Sequence, residues 1–286
     1  MAQGNVSRAV LITGCSTGIG RATAKHLATR GWPVYATARR PEVIRDLTSS
    51  GCKVLPLDVC DDASMRAAVE AVTAAEGAVG VLVNNAGYGQ EGAFEEVPMA
   101  EVRRQFETNV FGLTRLTQLV LPGMRRQKWG RIVNLSSMGG KLTLPGGAFY
   151  HATKHAVEAL SDALRFEVQG FGIDVVVIEP GPIKTQFGDT AIDSIGASAG
   201  SGSAYAQFNE VLRQRIREAY EGPMGRLAAG PEAVARVIET AITASRPRTR
   251  YPVTFAARFL MGLRRWLPDR WFDAFVGTQF PRPTGG

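Results

Sequence analysis

A chain of 286 residues, 45% hydrophobic and 8% aromatic, is long enough to bury a sizeable core as one large α/β domain. Its formal charge of +7 comes from scattered basic residues that gather only at Arg246, Arg248, Arg250, Arg258, Arg264, Arg265 and Arg270, which gives a nucleic-acid partner little support. Three cysteines, Cys15, Cys52 and Cys60, have neither the count of a disulfide framework nor metal-ligand spacing. No metal site is expected. The polar start at 1–8 lacks a secretory apolar stretch, and the apolar runs fall short of the roughly 20 residues of a spanning helix, so a cytoplasmic location is expected.

Short β-branched runs at 9–13, 33–38, 53–57, 79–83, 131–135 and 173–178 read as strands, and their near-continuous apolar character suggests burial on both faces. Between them, 20–30, 62–75, 101–127 and 149–169 have helical patterning, the second opened by Asp61 or Asp62 as N-cap. Strand and helix in alternation predict one doubly wound parallel sheet with helices on both faces, a Rossmann fold over 1–254, with 251–255 as a further edge strand. Small residues at 194–204 predict a mobile loop, inside a longer segment at 186–224 expected to order over a ligand. Residues 255–286 form an extension in which Phe259, Leu260, Leu263, Trp266, Leu267, Trp271, Phe272 and Phe275 alternate with arginines and break at Pro268. This predicts two short amphipathic helices. They are expected to pack on the same domain or at an interface, with peripheral membrane contact through 255–276 as the alternative.

The first strand runs into Thr13-Gly14-Cys15-Ser16-Thr17-Gly18-Ile19-Gly20 and then a helix. Glycines there let the chain turn sharply and let backbone N–H groups of the helix start approach a pyrophosphate. The second strand ends in Ala38-Arg39-Arg40, with no acidic residue to take ribose hydroxyls. Arg39 instead suits a 2′-phosphate, which favours NADP(H) over NAD(H).

Tyr150 and Lys154 stand four residues apart, on one face of a helix, thirteen residues after Ser137. A phenol with an ordinary pKa of about 10 needs a neighbouring positive charge to exchange protons near neutrality, and Lys154 can supply it. His151 and His155, as chain neighbours of these residues, are expected to turn away toward solvent or an interface.

These motifs, in this order, make the chain resemble the short-chain dehydrogenase/reductase family from Ala9 to about Pro252. The resemblance implies a cofactor site of Gly14, Ser16, Thr17, Gly18, Ile19, Gly20, Arg39, Asp58, Val59, Asn85, Ala86, Gly87, Tyr150, Lys154, Pro180, Gly181, Ile183 and Thr185. In it Asp58 holds the adenine amino group and Thr185 meets the nicotinamide carboxamide. It implies a catalytic tetrad of Asn109, Ser137, Tyr150 and Lys154, in which Tyr150 is the acid/base and Asn109 holds a relay water. Ser136 is an alternative to Ser137 by proximity. The Val34-Tyr35-Ala36-Thr37-Ala38-Arg39 pattern looks most like the NADP-preferring 17β-hydroxysteroid and retinol dehydrogenase branch. That look implies reversible oxidation of a lipophilic alcohol to a ketone or aldehyde, with a steroid-, retinoid- or long-chain-like substrate. Tyr88, Phe149 and Phe187 are the main substrate-pocket candidates, with Tyr205, Phe208 and Met224 beside them. By analogy the chain forms a homodimer or homotetramer. An NADP-binding sensor with little turnover is the competing reading, and the intact tetrad argues against it.

Overall fold

The computed structural model describes residues 6–196, 203–221 and 229–280. Met224 and part of the expected 194–204 loop lie outside the described residues. Among those described, seven strands form one parallel sheet: β1 Val10–Ile12, β2 Val34–Ala38, β3 Lys53–Pro56, β4 Val81–Asn84, β5 Gly130–Leu135, β6 Ile173–Glu179 and β7 Arg250–Pro252. Their order is β3-β2-β1-β4-β5-β6-β7. The order reverses between β1 and β4, which opens a crevice outside the carboxyl ends of the strands.

Alternate strand residues supply opposite faces, which is why the central strands are buried on both sides. The edge strands are not: β7 is half-buried, and β3, with Lys53 and Pro56 exposed, departs from the expectation for 53–57. Val10 and Ile12 join Ala24 and Leu27 of α1 Gly18–Thr29 and Val234 and Ile238 of α8 Pro231–Thr243. Leu11, Leu82 and Ile132 join Met65 and Val72 of α2 Asp62–Glu76 and Leu116 and Met124 of α4 Leu113–Gln127 on the other face. α5 Ala148–Val168 packs on that face through Val168. Each of these Leu or Ile side chains contributes about 1.5–3 kcal/mol when fully buried, so the two-sided core outweighs any single surface ion pair. Of the two candidate caps for α2, Asp61 is the one that accepts from the Ala63 N–H, at 2.9 Å.

The helix expected over 101–127 is instead three pieces: α3 Met99–Phe106, a π-helical stretch Glu107–Gly112, and α4. A β-carbon on Gly112 would meet the carbonyl of Val59, so this stretch lies tight against the loop after β3. Within 186–221 the described residues form two helices, α6 Phe187–Ser194 and α7 Ala206–Glu221, which flank the small-residue stretch; its described parts at 195–196 and 203–204 are not helical.

Two helices do end the described chain, α9 Phe255–Trp266 and α10 Asp269–Gly277, separated at Pro268. Thr254 caps α9 by accepting from the Ala257 N–H at 3.1 Å. Ala257 and Phe272 are buried, while Phe255, Phe259, Trp266 and Trp271 are exposed. The extension therefore rests one face on the domain and turns an aromatic, arginine-bearing face outward. Among the described residues no helix is long and apolar enough to cross a membrane.

Candidate active site

One cavity of about 1080 Å³ runs along the carboxyl ends of the strands. After β1, Gly14 and Gly18 adopt φ of +71° and +56°, which a side chain disfavours. A β-carbon on Gly14 would lie 2.9 Å from Ala86 Cα, and one on Gly18 would lie 3.2 Å from Thr185 Cγ2. The turn is thus pressed between the loops that follow β4 and β6. Asn85 holds it there, donating from Nδ2 to the carbonyls of Thr13 at 2.8 Å and Gly14 at 3.1 Å. Thr13 Oγ1 accepts from the Asn85 and Ala86 N–H groups in return. Thr17, at the start of α1, makes no side-chain cap, which leaves the first amides of the helix to a ligand.

Ser16, Thr17, Gly18, Ile19, Arg39, Asp58, Val59, Ala86, Gly87, Pro180, Gly181, Ile183 and Thr185 all line this cavity. Gly20 does not, and acts by close packing: a β-carbon there would lie 2.5 Å from the Gly14 carbonyl oxygen. Exposed Arg39 and Arg40 stand at its β2 end. Asp58 Oδ1 accepts from the Cys60 N–H at 3.0 Å, which fixes the carboxylate over the loop after β3. This glycine cradle and open helix start fit a dinucleotide.

At the opposite end Tyr150, Lys154, Ser137 and Ser136 meet. Lys154 is 6% exposed, and its Nζ donates to the Leu135 carbonyl at 2.7 Å. Burial pulls its pKa down to about 8, with the Glu158 charge opposing. Burial raises the Tyr150 phenol above its ordinary value, and the facing Ser137 side chain opposes that shift. Burial rather than Lys154 therefore sets the direction of the phenol's shift. Ser137 Oγ also accepts from the Gly139 N–H at 3.1 Å, while buried Ser136 Oγ has no partner among the described residues.

Asn109 lies behind the cavity wall. Its Nδ2 donates to the Tyr88 carbonyl at 2.9 Å and to Thr153 Oγ1 at 3.1 Å, and its Oδ1 accepts from the Tyr88 N–H at 3.1 Å. Its immediate task is to hold the Tyr88 backbone, and the π-helical stretch turns it inward for that purpose.

Tyr88 and Phe187 line the cavity; Phe149 does not. One residue along α5 from Tyr150 is a rotation of about 100°, which takes Phe149 onto Phe94, ring centres 4.7 Å apart. Tyr205 and Phe208 pack instead in a small cluster with Ala93, Ile195 and Leu212. His155 is exposed as expected, but His151 is not. It is 8% exposed, lines the cavity beside Tyr150, and burial pulls its pKa down to about 4. Sequence reasoning also missed Glu91, Tyr220 and Phe280 on the cavity wall. Loop and helix packing bring them in, and no local spacing marks them.

This arrangement is that of a nucleotide-dependent oxidoreductase. Residues 8–195 match the short-chain dehydrogenase family model, and the chain belongs to that family. It is 36% identical over 262 residues to the 3-ketodihydrosphingosine reductase of Bacteroides thetaiotaomicron, covering 91% of this chain and 93% of that one. It is 34% identical over 275 residues to the NADPH-dependent 3-dehydrocapnine reductase of Ornithobacterium rhinotracheale, covering 93% and 95%. The crystal structure of a short-chain dehydrogenase from Streptomyces avermitilis superposes with a TM-score of 0.78 at 35% identity, covering 97% of this chain and 100% of that one.

Proposed function

We propose that this enzyme is an NADP(H)-dependent oxidoreductase that interconverts a lipophilic alcohol and its ketone or aldehyde, with Tyr150 as acid/base. The observation that carries the reading is a single cavity with Arg39 at one end and Tyr150, Ser137 and Lys154 at the other. The glycine turn and the start of α1 would hold the pyrophosphate, Arg39 the 2′-phosphate, Asp58 the adenine, and Thr185 the carboxamide. Bound NADPH supplies the hydride for the carbonyl carbon.

The chain's own residues manage the proton. A phenol raised by burial is protonated at neutral pH, and that is the acid that carbonyl reduction requires. Tyr150 gives its proton to the substrate oxygen, and Ser137 donates a hydrogen bond to the same oxygen as negative charge develops. Lys154, itself poised near 8, favours the phenolate left behind and would hold the nicotinamide ribose. Asn109, in this reading, orders a relay water behind Lys154; a β-carbon on Gly87 would lie 3.0 Å from Asn109 Oδ1 and 3.8 Å from Lys154 Nζ. In oxidation the same groups act in reverse.

The substrate end is walled by Leu144, Pro145, Phe187, Leu212, Ile216 and Phe280, which supports an apolar steroid-, retinoid- or long-chain-like body. The two relatives named as reductases of a keto and a dehydro compound support the carbonyl chemistry, and one of them is named NADPH-dependent. Exposed Phe111, Leu160 and Phe166, on and beside α4 and α5, support association of two or four copies through these helices. The test is to titrate NADPH and NADH by fluorescence, then offer the tighter binder steroid, retinoid, long-chain and small polar carbonyls. NADPH preference with turnover of bulky apolar carbonyls is expected; NADPH binding with no turnover across the panel would overturn the enzymatic reading.

A further inference from the structure

Glu91 lies between β4 and α3, on the cavity wall beside the proton donor. Its Oε2 is 2.8 Å, and His151 Nε2 is 2.7 Å, from the point that a β-carbon on Gly147 would occupy. Its Oε1 is 3.4 Å from the matching point on Gly89, which Phe187 Cζ approaches to 3.0 Å. The His151 and Phe187 rings in turn stand 5.7 Å and 5.4 Å from the Tyr150 ring. Two glycines thus leave room for a carboxyl group between the aromatic rings that flank the acid.

The backbone of Glu91 is bonded: its N–H donates to Ser194 Oγ at 2.9 Å, and its carbonyl accepts from Gln90 Nε2 at 3.4 Å. No hydrogen-bond or ion-pair partner of its carboxyl group is found among the described residues. Burial pushes its pKa up to about 8, with no cationic neighbour offsetting the shift. His151 Nδ1 faces the Gly139 carbonyl oxygen at 3.1 Å. A carbonyl only accepts, so Nδ1 carries the proton, and the neutral ring leaves Nε2 as an acceptor. Glu91 Oε2 and His151 Nε2 therefore both border Gly147, and neither atom has a hydrogen-bond partner among the described residues.

We propose that Glu91 and His151 form a subsite for a primary amine of the substrate, carried next to the carbonyl that Tyr150 protonates. An ammonium brings three donors and a positive charge, so it satisfies both acceptors and keeps Glu91 ionised. The substrate class is then an amino ketone, or in reverse an amino alcohol, whose apolar chain lies along Leu212, Ile216 and Phe280. This inference rests on the function proposed above and narrows its substrate.

The test compares a long-chain α-amino ketone with the same ketone lacking the amine, in the wild type and in Glu91→Gln, with a carboxyl-to-amide change that keeps the shape. The wild type prefers the amino ketone, and Glu91→Gln lowers kcat/KM for it about 10- to 100-fold while turnover of the plain ketone changes little. NADPH titration of both proteins checks that the fold and cofactor site survive. Equal losses on both ketones, or no preference in the wild type, would overturn the proposal. A second readout separates it from the enzymatic reading: thermal shift of the NADP-loaded protein with decylamine and with 1-decanol. Selective stabilisation by the amine that is lost in Glu91→Gln supports the subsite even if no carbonyl turns over, whereas equal response to amine and alcohol refutes it.

Discussion

Lys154 holds its Nζ 5.8 Å from the centre of the Tyr150 ring, one turn further along α5, while donating to the Leu135 carbonyl at 2.7 Å. The ammonium is thus anchored by the main chain rather than by a carboxylate. Its charge stays available to the phenol and to a bound ribose, although burial makes that charge costly.

Replacing Tyr150 with Phe removes the proton donor and one oxygen atom. We expect kcat to fall by about 10²- to 10⁴-fold, with NADPH affinity and thermal stability close to wild type. Steady-state kinetics beside a fluorescence titration checks both halves. Unchanged turnover would assign proton transfer to another group.

Arg39→Ala should weaken NADPH binding by about tenfold, since a charge-assisted bond at an exposed position is partly screened by solvent. NADH binding should change little, because its ribose has no 2′-phosphate for the guanidinium to meet. Paired titrations at low and high salt measure the contrast, and added salt should narrow it.

Gly20→Ala places a β-carbon 2.5 Å from the Gly14 carbonyl oxygen and against Asn85 Nδ2, inside the turn that Asn85 holds. Overpacking of this kind costs about 1–3 kcal/mol, which in a chain of this size lowers Tm by several degrees. NADPH affinity should fall with it, since the amides at the start of α1 move. Calorimetry and cofactor titration on the same sample test the pair of effects.

Glu91 makes a pH prediction. Burial raises its pKa from 4.5 to about 8, so through that window the folded protein holds a proton that the unfolded chain has released. Its contribution to stability is full below pH 4.5 and is lost as pH rises to about 8. His151 acts oppositely: its pKa drops from 6.5 to about 4, so its contribution grows as pH rises across that interval. Subtracting the Tm of Glu91→Gln from that of the wild type at each pH isolates the first effect. The difference should move against the wild type between pH 5 and 8, and a flat difference would contradict the desolvation of Glu91.

The sequence by itself determined what repeats locally or lies at a fixed spacing. Double-sided burial wrote β1, β2, β4, β5 and β6 as largely apolar runs, positive φ at Gly14 and Gly18 required glycine, and a helical turn fixed Tyr150 over Lys154. Pro268 likewise marked the break between α9 and α10. Tertiary structure decided the rest, because it depends on which surfaces meet. The approach of Gly112 to Val59 accompanies the π-helical stretch that turns Asn109 inward, and a single-residue rotation on α5 sends Phe149 outward to Phe94. His151, which periodicity pointed to solvent, is buried because Gly139 and Gly147 leave space for its ring. Glu91 and Phe280 reach the cavity from a loop and from beyond α10, and no local rule of spacing relates residues that only long-range packing brings together.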